Sequence, residues 1–133
     1  MINYSKQNIN QDDIDAVIEV LKSDFLTQGP KVPEFENALR GYCSVNYAKV
    51  VSNATAALHL AYLAIGLKKG DVVWTSPNTY VATANAALYC GAEVDFVDID
   101  ARTYNMSVSS LEAKLQQAKK DKKLPKLVVP VHF

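Results

Sequence analysis

Short apolar, β-branched runs, each giving way to a turn and then a helical pattern, restrict this chain to few folds. Val72-Val73-Trp74-Thr75 leads through Ser76-Pro77-Asn78-Thr79 into a helix of small residues from about Tyr80 to Cys90, which Gly91 ends. Val94, Phe96 and Val97 form another run, stopping at Asp98-Ile99-Asp100, and Ser107 is placed to cap a helix holding Leu111, Leu115 and Ala118. Leu127-Val128-Val129-Pro130-Val131 is a further strand. Upstream, Ala48-Lys49-Val50-Val51 reads as a buried strand that feeds Ser52-Asn53-Ala54-Thr55. The helix that follows shows Leu58, Ala61, Tyr62 and Ile65 on one face and closes at Gly66, a natural residue for a left-handed C-terminal cap. Strands alternating with helices predict an α/β fold with a mostly parallel sheet and flanking helices, because parallel strands need crossovers that cover both faces.

The N-terminal stretch has a different pattern. Asn10 is placed to cap a helix, with Asp12 and Asp13 in the first turn, and Ile14, Val17, Ile18 and Leu21 follow at amphipathic spacing. Gly29 and Pro30 mark a loop, yet Phe25 and Leu26 are too apolar for a plain solvated connector. Pro33 is suited to the first position of a second helix, whose buried face is expected to carry Phe35, Leu39 and Tyr42.

The totals exclude several function classes. Fourteen Lys and Arg balance fourteen Asp and Glu in 133 residues, which argues against a general nucleic-acid or anionic-membrane surface. Cys43 and Cys90 lack the density of a disulfide scaffold and the spacing of metal ligands, so core thiols in a reducing compartment are expected. No leader pattern or bilayer-length apolar run occurs, and a cytoplasmic location is the default expectation. The run Lys119-Lys120-Asp121-Lys122-Lys123 reads as the solvated end of its helix.

The common catalytic signatures are absent: no Gly-x-Gly-x-x-Gly, no Gly-Lys-Ser/Thr phosphate loop and no Gly-x-Ser-x-Gly elbow. His59 and His132 have no carboxylate or cysteine at ligand spacing, so no metal site is expected, and His59 reads as packing. What remains is a set of loops at the C-terminal ends of strands, where open α/β sheets bind ligands. Ser52 to Thr55 fits either a helix cap or an anion site, since unpaired N–H groups and the positive dipole end coincide there. Tyr80 fits either a core aromatic or a platform for a flat ring. A phosphate on the first turn and a ring on Tyr80 would together describe a phosphorylated aromatic cofactor.

Four stretches in order carry a family resemblance: Leu26-Thr27-Gln28-Gly29-Pro30-Lys31-Val32-Pro33-Glu34-Phe35-Glu36; Ser52-Asn53-Ala54-Thr55-Ala56-Ala57-Leu58-His59-Leu60; Ser76-Pro77-Asn78-Thr79-Tyr80-Val81-Ala82-Thr83-Ala84-Asn85-Ala86; and Val97-Asp98-Ile99-Asp100 with Tyr104-Asn105-Met106. They resemble the DegT/DnrJ/EryC1/StrS family of sugar aminotransferases, which use pyridoxal 5′-phosphate (PLP) in the type I aminotransferase fold. Tyr4-Ser5 and Phe25 to Gly29 most resemble the branch serving pseudaminic acid biosynthesis. The resemblance implies that Ala54 and Thr55 hold the cofactor phosphate and that Tyr80 stacks on its ring. It also implies that Tyr4, Asp24, Phe25, Leu26 and Thr27 line the nucleotide-sugar pocket, with Ala54 touching substrate as well.

The same resemblance implies one incomplete domain. Residues 1–30 would be an N-terminal helix and substrate loop, and 31–133 the start of the PLP-binding large domain, with the rest of that domain and a small C-terminal domain lying further on. The Schiff-base lysine follows a Ser-x-His motif that this sequence lacks, so it is expected beyond Phe133, and Lys31 and Lys49 are not given its role. Asp98 and Asp100 do not match the aspartate that meets the pyridine nitrogen and read as loop carboxylates. The implied activity is transfer of an amino group from glutamate to a UDP-4-keto-6-deoxyhexose by a homodimer when full length, with these 133 residues inactive alone. A non-transaminating sugar dehydratase, with histidine replacing the lysine, and a catalytically inactive binding domain are the alternatives.

Overall fold

Asn10 begins the first helix as its sequence leads one to expect. In the computed structural model, which describes residues 5–133, α1 spans Gln11–Lys22 behind a reciprocal capping box. Asn10 Oδ1 accepts from the Asp13 N–H at 3.1 Å while Asp13 Oδ2 accepts from the Asn10 N–H at 2.9 Å. The second helix, α2, is Lys31–Cys43. Pro33 therefore sits at its third position, not its first, which costs no hydrogen bond because the first-turn N–H groups have no intrahelical partner.

These helices belong to one compact unit, Met1–Val50, and the remainder to another, Val51–Phe133. Neither α1 nor α2 has a buried residue, which corrects the expected buried face of α2: Phe35 is 53% and Tyr42 91% exposed. A unit of this size has too little surface to bury two apolar stripes at once. Cys43, at the end of α2, is likewise exposed and not a core thiol.

Ala48 to Val51 forms no strand, a second correction. An extended segment becomes a strand only when a ladder takes its backbone groups. Here the Val50 N–H donates to Glu36 Oε1 at 3.2 Å, and Lys49 Nζ meets Glu36 Oε2 at 2.8 Å. Lys49 is thus an exposed ion-pair partner, and the lysine together with the Val50 N–H holds the Glu36 carboxyl below its ordinary range.

The second unit carries the sheet. Its elements are α3 (Ala54–Ala64), β1 (Val72–Thr75), α4 (Ala82–Tyr89), β2 (Glu93–Phe96), α5 (Val108–Lys120) and β3 (Leu127–Val129). The strands are parallel in the order β2-β1-β3, with Val73 opposite Val94 and Leu127, and Trp74 opposite Asp95 and Val128. Strand alternation splits the core in two. Val73 packs with Tyr62, Leu67, Ala86, Ala87 and Ala92 on the α3–α4 side, and Trp74 packs with Val97 and Ala118 on the α5 side. Each fully buried large apolar side chain of this kind contributes about 1.5–3 kcal/mol. Cys90 is half-buried beside the first cluster.

Helix ends and starts follow local chemistry. Gly66 at φ +73° ends α3: the Leu67 N–H donates to Tyr62 O at 3.0 Å and the Gly66 N–H to Leu63 O at 2.9 Å. Gly91 at φ +76° closes α4 through the same pair of bonds, Ala92 to Ala87 O and Gly91 to Leu88 O. Ser107 Oγ caps α5 by accepting from the Ser110 N–H at 3.2 Å. Each turn so fixed delivers the next strand to the sheet in register.

Candidate functional site

The turn before α3 combines the two roles open to it in sequence. Asn53, not Ser52, is the cap: extended at φ −166° and ψ 166°, it accepts from the Ala56 N–H at 2.9 Å through Oδ1. The Ala54 and Thr55 N–H groups ahead of it have no acceptor among the described residues. Two donors at the positive end of a helix dipole, beside the Thr55 hydroxyl, form a set suited to a phosphate.

Tyr80 enters from the next strand–helix unit. It is 62% exposed, so it is not a core aromatic, and its hydroxyl lies 3.4 Å from Thr55 Oγ1. The turn carrying it is anchored below by buried polar groups. Thr75 Oγ1 donates to Val129 O at 2.9 Å, Thr79 Oγ1 to Thr83 Oγ1 at 3.0 Å, and the Tyr62 hydroxyl to Thr83 O at 3.0 Å. Burial pushes the Tyr62 hydroxyl pKa up, which keeps it protonated and donating. Ser76 is fully buried, and its Oγ has no partner among the described residues. That orphaned hydroxyl went unnoticed in the sequence, where nothing distinguishes it from a loop serine.

The third loop is structural in its contacts. Asp100 Oδ1 accepts from the Thr103 N–H at 2.8 Å and the Arg102 N–H at 3.0 Å, and these bonds, Thr103 first, hold its carboxyl below the ordinary range. Ile99 pairs with Met106 across the loop. His59 packs edge-on against Tyr89 with ring centroids 5.6 Å apart. Among the described residues no three His, Cys, Asp or Glu side chains gather into a metal-binding group.

In the first unit, Asp24, Phe25, Leu26 and Thr27 are all exposed on the loop after α1. Ser23 starts this loop by donating from Oγ to Val20 O at 2.8 Å and accepting from the Phe25 N–H at 3.3 Å. Gly29 finishes it: a Cβ there would lie 2.9 Å from Phe25 Cβ. Phe25 and Leu26, with Val20, Gly29, Pro30 and Val32, line an apolar cleft of ≈ 260 Å³. Tyr4 lies outside the described residues.

The phosphate cup and the aromatic face fit PLP by chemistry: unpaired donors for the phosphate, and an exposed ring beside them for the pyridine. Comparison with known proteins points the same way. The DegT/DnrJ/EryC1/StrS aminotransferase family matches residues 7–133. A UDP-4-amino-4,6-dideoxy-N-acetyl-β-L-altrosamine transaminase of Campylobacter jejuni (serotype O:23/36, strain 81-176) is 53% identical over 115 residues, covering 86% of this chain and 30% of that protein. The structure of Helicobacter pylori PseC, an aminotransferase of pseudoaminic acid biosynthesis, superposes with a TM-score of 0.84 at 32% identity, over 96% of this chain and 33% of that one. The PLP form of Spr1654 from Streptococcus pneumoniae superposes with a TM-score of 0.79 at 33% identity, over 84% of this chain and 29% of that one. The chain thus spans about a third of the length of the proteins it matches.

Proposed function

The chain belongs to the DegT/DnrJ/EryC1/StrS aminotransferase family, and from that premise we propose that it forms the cofactor-anchoring part of a PLP-dependent nucleotide-sugar aminotransferase. Residues 31–133 are the start of the large domain, and residues 1–30 supply an N-terminal helix and a substrate loop. The observation that carries the reading is the pair of free N–H groups at Ala54 and Thr55 with the exposed Tyr80 beside them.

Each residue has a physical task. The Ala54 and Thr55 N–H groups and the Thr55 hydroxyl take the cofactor phosphate, where a helix dipole and charge-assisted bonds favour the anion. Tyr80 sets the plane of the ring by stacking, and the Thr75–Val129 and Thr79–Thr83 hydrogen bonds anchor its turn. Asp24, Phe25, Leu26 and Thr27 are the residues of the first unit that contact the nucleotide sugar, Phe25 and Leu26 offering apolar faces. PLP, when bound, supplies the electron sink that lets an amino group leave a donor and reach a keto carbon.

The substrate is a UDP-4-keto-6-deoxyhexose and the donor glutamate, in a pathway of the pseudaminic acid type; the 53% identity to the Campylobacter jejuni altrosamine transaminase supports this choice. The working enzyme is a homodimer. The test is to supply the full-length protein with that keto sugar and ¹⁵N-glutamate. A UDP-4-amino sugar carrying the label is expected; a deoxygenated sugar with glutamate untouched overturns the reading in favour of a dehydratase. Residues 1–133 alone are expected to give no product, and borohydride is expected to fix no cofactor on Lys31, Lys49 or any other lysine of this chain.

A further inference from the structure

Thr55 and Tyr80, twenty-five positions apart, bring their hydroxyl oxygens to 3.4 Å. We propose that Tyr80 is a positioning residue for the phosphate as well as a face for the ring: its O–H donates to Thr55 Oγ1 and so commits the Thr55 proton to the cofactor phosphate. The inference rests on the cofactor reading above and adds a role for one atom, the Tyr80 hydroxyl.

A threonine hydroxyl has one proton and two acceptor positions. In a helix it commonly spends the proton on a carbonyl one turn back. Thr55 makes no such bond: at the second position of α3 its Oγ1 has Tyr80 as its hydrogen-bond partner among the described residues. A donor arriving from Tyr80 occupies a lone pair and polarises the O–H, leaving the proton for an anion. A phosphate on the Ala54 and Thr55 N–H groups accepts the proton of the adjacent Thr55 hydroxyl, and with that proton committed the Tyr80–Thr55 bond runs from Tyr80 to Thr55. The contact is longer than a tight hydroxyl pair, and an anion drawing on the Thr55 proton shortens it. Phenylalanine at position 80 would stack as well and lack this bond.

The test compares PLP with pyridoxal, which has the ring without the phosphate, on the apo form of the full-length protein. Dissociation constants are measured for wild type, Tyr80→Phe, Thr55→Val and the double variant, with melting in the absence of ligand as the check on folding. Tyr80→Phe is expected to weaken PLP by about three- to tenfold, the worth of one hydrogen bond, and to leave pyridoxal unchanged. In the Thr55→Val background it is expected to have no further effect, while Thr55→Ser keeps the full Tyr80 effect. An unchanged PLP affinity in Tyr80→Phe, an equal loss for both ligands, or a loss that adds in full to Thr55→Val overturns the proposal. Wild type that binds PLP no better than pyridoxal overturns the phosphate reading of the turn itself.

Discussion

Asn53 serves two demands at once: its Oδ1 takes the Ala56 N–H, and by doing so it leaves the Ala54 and Thr55 N–H groups free to face an anion. Substitution separates the two. Asn53→Ala removes the cap and is expected to cost about 1 kcal/mol in denaturant unfolding. Asn53→Asp keeps the cap and suits the dipole, so stability is held or raised. Its carboxylate, however, would stand beside a phosphate held by the Ala54 and Thr55 N–H groups, and PLP affinity is then expected to fall about tenfold by titration. A turn that only caps would show no such division between stability and affinity. The sequence carried the small residues and the hydroxyls of this turn, since such chemistry is local. It did not carry the choice of Asn53 over Ser52, which depends on backbone angles, nor the approach of Tyr80, which depends on how α3 packs against α4.

At the scale of elements, β1 and β3 were legible as apolar runs rich in valine, and β2 as the alternation of Val94 and Phe96 with Glu93 and Asp95. Ala48 to Val51 has the same composition and misled, because a strand is defined by a partner and Glu36 claims the Val50 N–H instead. The small residues of α4 were legible too, and packing explains them: Ala86 and Ala87 are fully buried where α4 crosses α3 and the sheet. Ala86→Leu has no room and is expected to lower stability by about 1–3 kcal/mol in urea unfolding.

The edge of β2 is tied to α5 by a contact invisible in sequence. Lys114 Nζ lies 2.6 Å from Asp95 Oδ2, donates to Phe96 O at 2.6 Å and sits 4.9 Å from the centre of the Trp74 ring. Lys114 holds the Asp95 carboxyl below its ordinary value of 3.8, chiefly through their hydrogen bond. A carboxyl with a lowered folded pKa binds fewer protons in the folded state than in the unfolded one. Its stabilisation is complete above pH 3.8 and is lost as the pH falls through the lower folded value. Asp95→Asn is therefore expected to flatten the acid limb of a stability-against-pH curve below about pH 4, leaving the neutral region little steeper than before.

Two properties hold for the molecule as a whole. Charge is balanced, and no helix of the described residues is long and apolar enough to cross a membrane. Within the second unit the Ser76–Tyr80 turn follows β1 and the Asp98–Asp100 loop follows β2, the Ser52–Thr55 turn precedes α3 without a strand before it, and helices cover both faces of the sheet. The apolar stripe of α1 is legible in its spacing, but the exposure of Phe35 and Tyr42 on α2 was not, since burial depends on what else is near. Central to the proposed function are the Ser52–Thr55 turn as the holder of a cofactor phosphate and Tyr80 as the face for its ring. The most direct measurement is a crystal structure of the full-length protein with PLP. Phosphate oxygens are expected within hydrogen-bond distance of the Ala54 and Thr55 N–H groups, with the pyridine ring parallel to Tyr80. A phosphate bound elsewhere, with the Ala54 and Thr55 N–H groups on solvent, would contradict it.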